Sequence, residues 1–350
     1  MARKTKKQIP ALNETGVNVL DQSIGQEYAL YHGDCVEVMR GLPDNSIDYS
    51  IFSPPFSSLY TYSNSERDMG NVIDDDAFFE QYRYLVAEQY RTLKPGRLLS
   101  FHCMLLPSSK THHGYIGLRD FRGDLIRAYQ DAGFIFHSEV VIWKDPVTAM
   151  QRTKALGLLY KQIKKDATMS RQGVPDYLVT MRKPGVNDDP VAQDPAEFPV
   201  DLWQREASPV WTYGDDDPPA RQLIDWLRGF FRRPDDAPIA QRFPEPVWMD
   251  INPSETLQYR SAREHNDERH ICPLQLEVIR RGIRLWTNPG DVVFSPFAGI
   301  GSELVTAIEM GRRATGAELK KSYYQQAARN CQAAEDRAHQ PSLFDLLEAA

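Results

Sequence analysis

The sequence predicts a mostly parallel α/β sheet between two layers of helices, and three observations predict it. Short apolar runs alternate with longer segments of helical period at both ends of the 350-residue chain, and strand followed by helix is the pattern of a parallel sheet. One run, Ile47 to Phe52, halts at Ser53-Pro54-Pro55-Phe56. Proline has no N–H to give a neighbouring strand, so the strand ends at Ser53. Another run, Asp291 to Phe294, leads into the glycine-bearing turn Ser295-Pro296-Phe297-Ala298-Gly299-Ile300-Gly301-Ser302 and then a helix.

Composition bounds the rest. Hydrophobic content of 41% and charged content of 25% suit a globular chain large enough for a sizeable core. No apolar run reaches the roughly 20 residues of a membrane span, and the basic start Met1 to Lys7 has no apolar core behind it, so it reads as a solvated arm rather than a secretory signal. Cys35, Cys103, Cys272 and Cys331 stand singly, the pattern of reduced cytoplasmic thiols, and no His or Cys spacing predicts a metal site. The net charge of -7 excludes a uniformly basic coat but not a local cationic face.

Taken in order, Tyr28 to Gly33 is a short strand, and Asp34 caps the helix carrying Val36, Met39 and Leu42. The central strand Ile47 to Phe52 follows. Ser53 Oγ and the Pro54 carbonyl form a rigid pair of acceptors beside the ring of Phe56, a corner suited to a planar heterocycle with an amino group, although a plain strand-ending turn has the same residues. Ser57 to Asn64 and Arg67 to Asn71 make a loop that covers a substrate. Phe78, Tyr82, Leu85, Val86, Gln89 and Leu93 mark a helix ended by Lys94-Pro95-Gly96. Arg97 to Cys103 is a strand, in which His102 reads as a core or rim residue. Leu118 to Ala132 is a helix, and Phe134 to Trp143 and Asp176 to Arg182 are strands.

Between the last two lies the strongest basic concentration in the chain, with Arg152, Lys154, Lys161, Lys164, Lys165 and Arg171, continued by Arg182 and Lys183. Interleaved with Gln151, Thr153, Thr168, Ser170 and Gln172, it predicts a face that tracks phosphates. Residues 184–246 are rich in Pro and Asp around one amphipathic segment, Arg221 to Phe231. Cys272-Pro273 opens a helix ending near Asn288-Pro289-Gly290. After the glycine turn come the helix with Leu304, Val305 and Ile308, the strand Ala314 to Ala317, the acid Glu318, and a last helix through Tyr323 and Tyr324. A glycine turn after one strand and an acid closing the next predict a nucleoside cofactor, the acid accepting ribose hydroxyls.

Together these motifs resemble the amino-group DNA methyltransferases, the N4-cytosine and N6-adenine enzymes that use S-adenosylmethionine. That family has [Asp/Asn/Ser]-Pro-Pro-[Tyr/Phe/Trp] early and Asp-Pro-Phe-x-Gly-x-Gly late in its permuted β order; this chain has Ser53 to Phe56 and Ser295 to Gly301 in that order. The resemblance covers about 28–143 and 268–332. It implies a three-layer Rossmann-like methyltransferase fold with a circularly permuted sheet and an inserted target-recognition region. The expected division is a basic arm 1–27, a catalytic half 28–183, an insertion 184–267, a cofactor-binding half 268–335 and a tail 336–350.

The resemblance also implies roles: catalysis by Ser53, Pro54, Pro55 and Phe56; cofactor binding by Asp34, Cys272, Pro273, Ser295, Pro296, Phe297, Ala298, Gly299, Gly301, Ser302 and Glu318; and double-stranded DNA as partner, held by the basic stretch. It leaves monomer and homodimer open. Two positions depart from the family pattern, Ser295 where Asp is usual and Leu274-Gln275 where Lys-Pro is frequent. Ser in the first position of the early motif implies N4 of a flipped cytosine, with N6 of adenine as one alternative and an inactive DNA-binding protein on the same scaffold as another.

Overall fold

The computed structural model describes residues 7–13, 18–57, 68–72, 74–108, 110–143, 160–170, 173–212, 248–249, 255–258, 262 and 273–340. Its first half carries β1 (Asp21–Ile24), β2 (Tyr28–His32), α1 (Cys35–Gly41), β3 (Ile47–Phe52), α2 (Asp75–Thr92), β4 (Leu93–Met104), a hairpin of β5 (Leu106–Ser108) and β6 (Gly117–Arg119) around α3 (Lys110–His113), α4 (Phe121–Asp131) and β7 (Ile135–Ile142). Next come α5 (Tyr160–Ile163), β8 (Asp176–Arg182), α6 (Val200–Glu206), β9 (Val210–Thr212) and β10 (Trp248–Met249). The last part carries α7 (Leu276–Trp286), β11 (Val292–Ser295), α8 (Ser302–Glu309), β12 (Arg313–Glu318) and α9 (Lys321–His339).

One sheet of ten described strands has the order β1-β2-β12-β11-β3-β4-β8-β7-β9-β10. From β2 to β4 the neighbours are parallel, and β8 runs antiparallel between β4 and β7. The permutation is visible in the register. Strands from the end of the chain are inserted beside β3, with Val293 opposite Tyr49 and Phe294 opposite Ser50. Ser50 Oγ donates to the Phe294 carbonyl at 2.9 Å across 244 residues of sequence.

Each face of the sheet is covered because each helix has one apolar stripe. On one face Val38 and Met39 of α1, Phe78, Tyr82, Leu85 and Val86 of α2, and Phe121, Leu125 and Tyr129 of α4 form one core with Phe52, Phe101 and Phe294. On the other, Val278, Ile279 and Ile283 of α7, Leu304 and Ile308 of α8, and Ala327 and Cys331 of α9 pack on Tyr49, Ile51 and Val293. Burial of these apolar surfaces is the main drive to the layered form. This is the expected three-layer fold with a mostly parallel, permuted sheet.

Caps set the helix starts. Asp34 accepts from Val36 N and Glu37 N, and Asp74 from Ala77 N. Several boundaries differ from expectation. β4 begins at Leu93 rather than Arg97, because the pairing of Ile47 with Leu93 and Tyr49 with Leu98 absorbs Lys94 to Arg97 in a bulge. Gly96 there has φ +71°, and a Cβ on it would meet Asn187 N at 2.6 Å. α4 starts at Phe121, three residues late, since Gly117–Arg119 pairs with Leu106–Ser108. α7 starts at Leu276, after Pro273, and the last helix, α9, runs on to His339. The N-terminal arm is not wholly solvated: Asp21–Ile24 is an edge strand on β2, and Lys7 Nζ lies 2.7 Å from both Asp48 and Asp291. The amphipathic segment 221–231 and the loop positions 58–67 lie outside the described residues.

Candidate active site

The carboxyl edge of the parallel strands gathers the chemistry, because parallel strands all end on the same side. Ser53 to Phe56 leave β3 there, and Pro296 to Gly301 leave β11 beside them; the rings of Phe52 and Phe297 lie 6.0 Å apart. The early and late motifs therefore share one sheet edge.

Ser53 is half-buried. Its Oγ lies 3.1 Å from His102 Nδ1 and 3.5 Å from the His102 carbonyl, since the β3–β4 register sets Phe52 opposite Phe101 and hence the next pair side by side. His102 Nε2 is 2.9 Å from Asp176 Oδ2, a close contact off the line of the ring N–H. Asp176 opens β8, and only an antiparallel strand has its first residue at this edge. Phe56 is half-buried and meets Phe121 edge-on, with ring centroids 6.4 Å apart. After it, Ser57 takes a left-handed conformation, φ 50°, that a side chain with Cβ rarely adopts. It is held by Asp75 at 2.5 Å, and Asp75 is in turn gripped by Arg119 at 2.6 Å.

The late turn is tied to the neighbouring strand. Ala298 N donates to the Ala317 carbonyl, and Gly299 N to Glu318 Oε2 at 2.8 Å. Glu318 Oε1 accepts from Lys320 N at 2.8 Å, and Gly33 N bonds the Glu318 carbonyl at 3.0 Å, which brings the end of β2 and Asp34 to the same place. The Glu318 carboxyl is raised to about 7: burial pushes it up, its two backbone donors pull it down, and the charge of Asp68 adds to the rise. Asp68, buried, caps a short turn at Met69–Asn71. Glu303 in the first turn of α8 is 4% exposed, and burial lifts its carboxyl to about 8.

A nucleoside cofactor fits this edge by three observations. A Cβ on Gly299 would meet nothing within 4 Å, so the turn faces open space. Gly301, φ +90°, caps α8 with a helix N-terminus behind it. Ser295 Oγ is fully buried with no partner among the described residues, at the position where the family pattern has a carboxylate. Pro296 and Ser302 are buried and Phe297 is half-buried, while Pro273 precedes α7. Cys272 lies outside the described residues.

A family model described as DNA methylase matches residues 47–329. The chain belongs to the DNA methylase family. The family uses S-adenosylmethionine. The chain is 37% identical to YubD of Escherichia coli (strain K12) over 292 residues, 83% of this chain and 85% of that one. It is 22% identical over 309 residues, 86% of this chain and 81% of the other, to YhdJ of the same organism, named a DNA adenine methyltransferase. TTHA0409 of Thermus thermophilus, solved in complex with S-adenosyl-L-methionine, superposes with a TM-score of 0.54 at 22% identity over 87% of this chain and 95% of that one, a likeness of fold.

Of the residues expected to touch DNA, Lys161, Lys164 and Lys165 are exposed on and after α5, and Arg152, Lys154 and Arg171 lie outside the described residues. Lys183 does not belong to that face. It is buried, with Nζ donating to the Leu93 carbonyl and Asn45 Oδ1. Among the described residues no group of His, Cys, Asp and Glu is arranged to hold a metal, and no helix is long and apolar enough to cross a membrane. Sequence reasoning missed the partners of the corner: His102 passed for a core or rim residue, Ser57 and Asp68 were read only as parts of the loop over a substrate, and Asp176, Asp75 and Arg119 carried no signal of a role at the site. The one available signal was a histidine at the end of the strand after the Ser-Pro-Pro-Phe run.

Proposed function

We propose that this chain methylates the N4 amino group of a cytosine turned out of double-stranded DNA. The observation that carries the reading is the placement of Ser53 at the end of β3 beside the β11 glycine turn. S-adenosylmethionine, when bound, supplies an electrophilic methyl group. Asp34, Glu318 and the turn from Ser295 to Ser302, with Cys272 and Pro273 before α7, are the residues that would hold it.

The rest of the work falls to the corner. An exocyclic amino nitrogen is a poor nucleophile because its lone pair is delocalised into the ring. Hydrogen bonds from its two hydrogens to Ser53 Oγ and the Pro54 carbonyl favour a pyramidal nitrogen with the lone pair free, and the prolines hold both acceptors still. No strong base is needed before attack, since the proton becomes acidic once the nitrogen is methylated. The target amino group is hidden in a duplex, so the base is flipped out, with Phe56 as its stacking surface. Lys161, Lys164 and Lys165, with Arg152, Lys154 and Arg171, supply phosphate contacts.

The test is to incubate the full chain with duplex DNA and labelled donor, digest to nucleosides and separate them. Labelled N4-methylcytidine from the deoxy series is the expected product; N6-methyladenine overturns the choice of base, and unlabelled DNA overturns the activity. Ser53→Ala should lower transfer at least about 100-fold while donor binding by calorimetry stays near wild type.

A further inference from the structure

We infer that His102, its tautomer set by Asp176, is a positioning residue that turns the Ser53 hydroxyl hydrogen away from the substrate and leaves both Oγ lone pairs facing the target amino group. This deepens the methyl-transfer reading above and rests on it. A serine hydroxyl is ambiguous: it has one hydrogen to donate and two lone pairs to accept with, and the hydrogen rotates to suit its surroundings. A carboxylate in the same position would be an acceptor only. For Ser53 to serve as acceptor, something must take its hydrogen.

His102 is placed to do so. Nδ1 is 3.1 Å from Ser53 Oγ, and among the described residues the other acceptor near that hydroxyl is the carbonyl of His102 itself at 3.5 Å. Both stand on the β4 side. Whether Nδ1 accepts depends on where the ring carries its proton. Asp176, 1% exposed, sets a carboxylate oxygen 2.9 Å from Nε2. Although the contact is off the line of the ring N–H, a bare, electron-rich Nε2 at 2.9 Å from a carboxylate oxygen is disfavoured by charge and an N–H there is favoured, so the proton stays on Nε2 and Nδ1 is left as acceptor. His102 is itself only 8% exposed, so water competes little for either nitrogen. The strand order builds this chain: parallel β3 and β4 end side by side, and antiparallel β8 brings its first residue to the same edge.

The experiment reads the tautomer and the rate separately. In 15N-histidine-labelled full-length protein, the ring resonances of His102, assigned by their loss in His102→Asn, should show a proton on Nε2 and none on Nδ1. In single-turnover transfer, His102→Phe should slow the methylation rate by on the order of tenfold to a hundredfold with the KM for S-adenosylmethionine within about twofold. His102→Asn, whose amide oxygen accepts a hydroxyl hydrogen, should recover most of that loss. A proton on Nδ1, a His102→Phe rate equal to wild type, or an Asn variant as slow as Phe overturns the inference. A wild-type chain that methylates no DNA overturns the function instead, and the tautomer, read without substrate, then decides the orientation.

Discussion

Gly301 and Gly299 show how a backbone requirement becomes a residue choice. Both have positive φ, +90° and +55°, but their surroundings differ: a Cβ at Gly301 would stand 3.3 Å from Ala327 Cα and Cβ on α9, while one at Gly299 meets nothing within 4 Å. Gly299→Ala should therefore cost only the left-handed strain, about 1 kcal/mol, and Gly301→Ala about 2–3 kcal/mol because α8 and α9 must also part. Urea unfolding checks it, and equal midpoints for the two variants would refute the packing contribution. At this scale the sequence was readable where a residue acts on its own neighbours. Asp34 caps α1 as expected, since its targets are two and three residues away. His102 was not readable, because Ser53 and Asp176 are far from it in the chain.

Among the elements, α8 carries a cost built into the site. Its first turn holds Glu303, where a helix N-terminus favours a negative charge, but burial wins and lifts the carboxyl to about 8 from an ordinary 4.5. Between those values the folded protein binds more protons than the unfolded chain, so this residue lowers stability as pH rises from 4.5 through 8. Glu303→Gln should be close to neutral at pH 5 and stabilising by about 3 kcal/mol at pH 9. A wild-type-to-variant difference in urea midpoint that stays constant across that range would rule the burial account out. The elements themselves were largely visible in periodicity, and the errors at β4 and α4 come from pairing with strands the local pattern does not show. Pro95 and Gly96 read as terminators, yet the strand runs through them as a bulge because β3 supplies the pairing.

Over the whole molecule, the edge opposite the site is held by charge. Asp48 at the start of β3 and Asp291 before β11 are fully buried; Arg97 from β4, 2% exposed, lies 3.2 Å from the first and 3.1 Å from the second. Lys7 closes the cluster from the N-terminal segment, 2.7 Å from each and 2.8 Å from Asp189. Burial would raise the Asp48 carboxyl, but Lys7 and Lys94 hold it below its ordinary value. Lys7→Met should lower stability by about 1–3 kcal/mol at pH 7, less than the loss of a fully buried partner because Lys7 is 27% exposed. An unchanged urea midpoint would mean that the segment adds nothing to the fold.

The sequence by itself determined the alternation of strand and helix, the proline corner, the glycine turn and the acid after it, because each is written in residues within a few positions of one another. Tertiary structure decided which strand ends are neighbours, and with that the meeting of Ser53, His102 and Asp176 and the seating of Lys7. The reason is physical: local pattern sets what each segment buries, while the order in which strands stack is chosen by how all the buried faces fit at once.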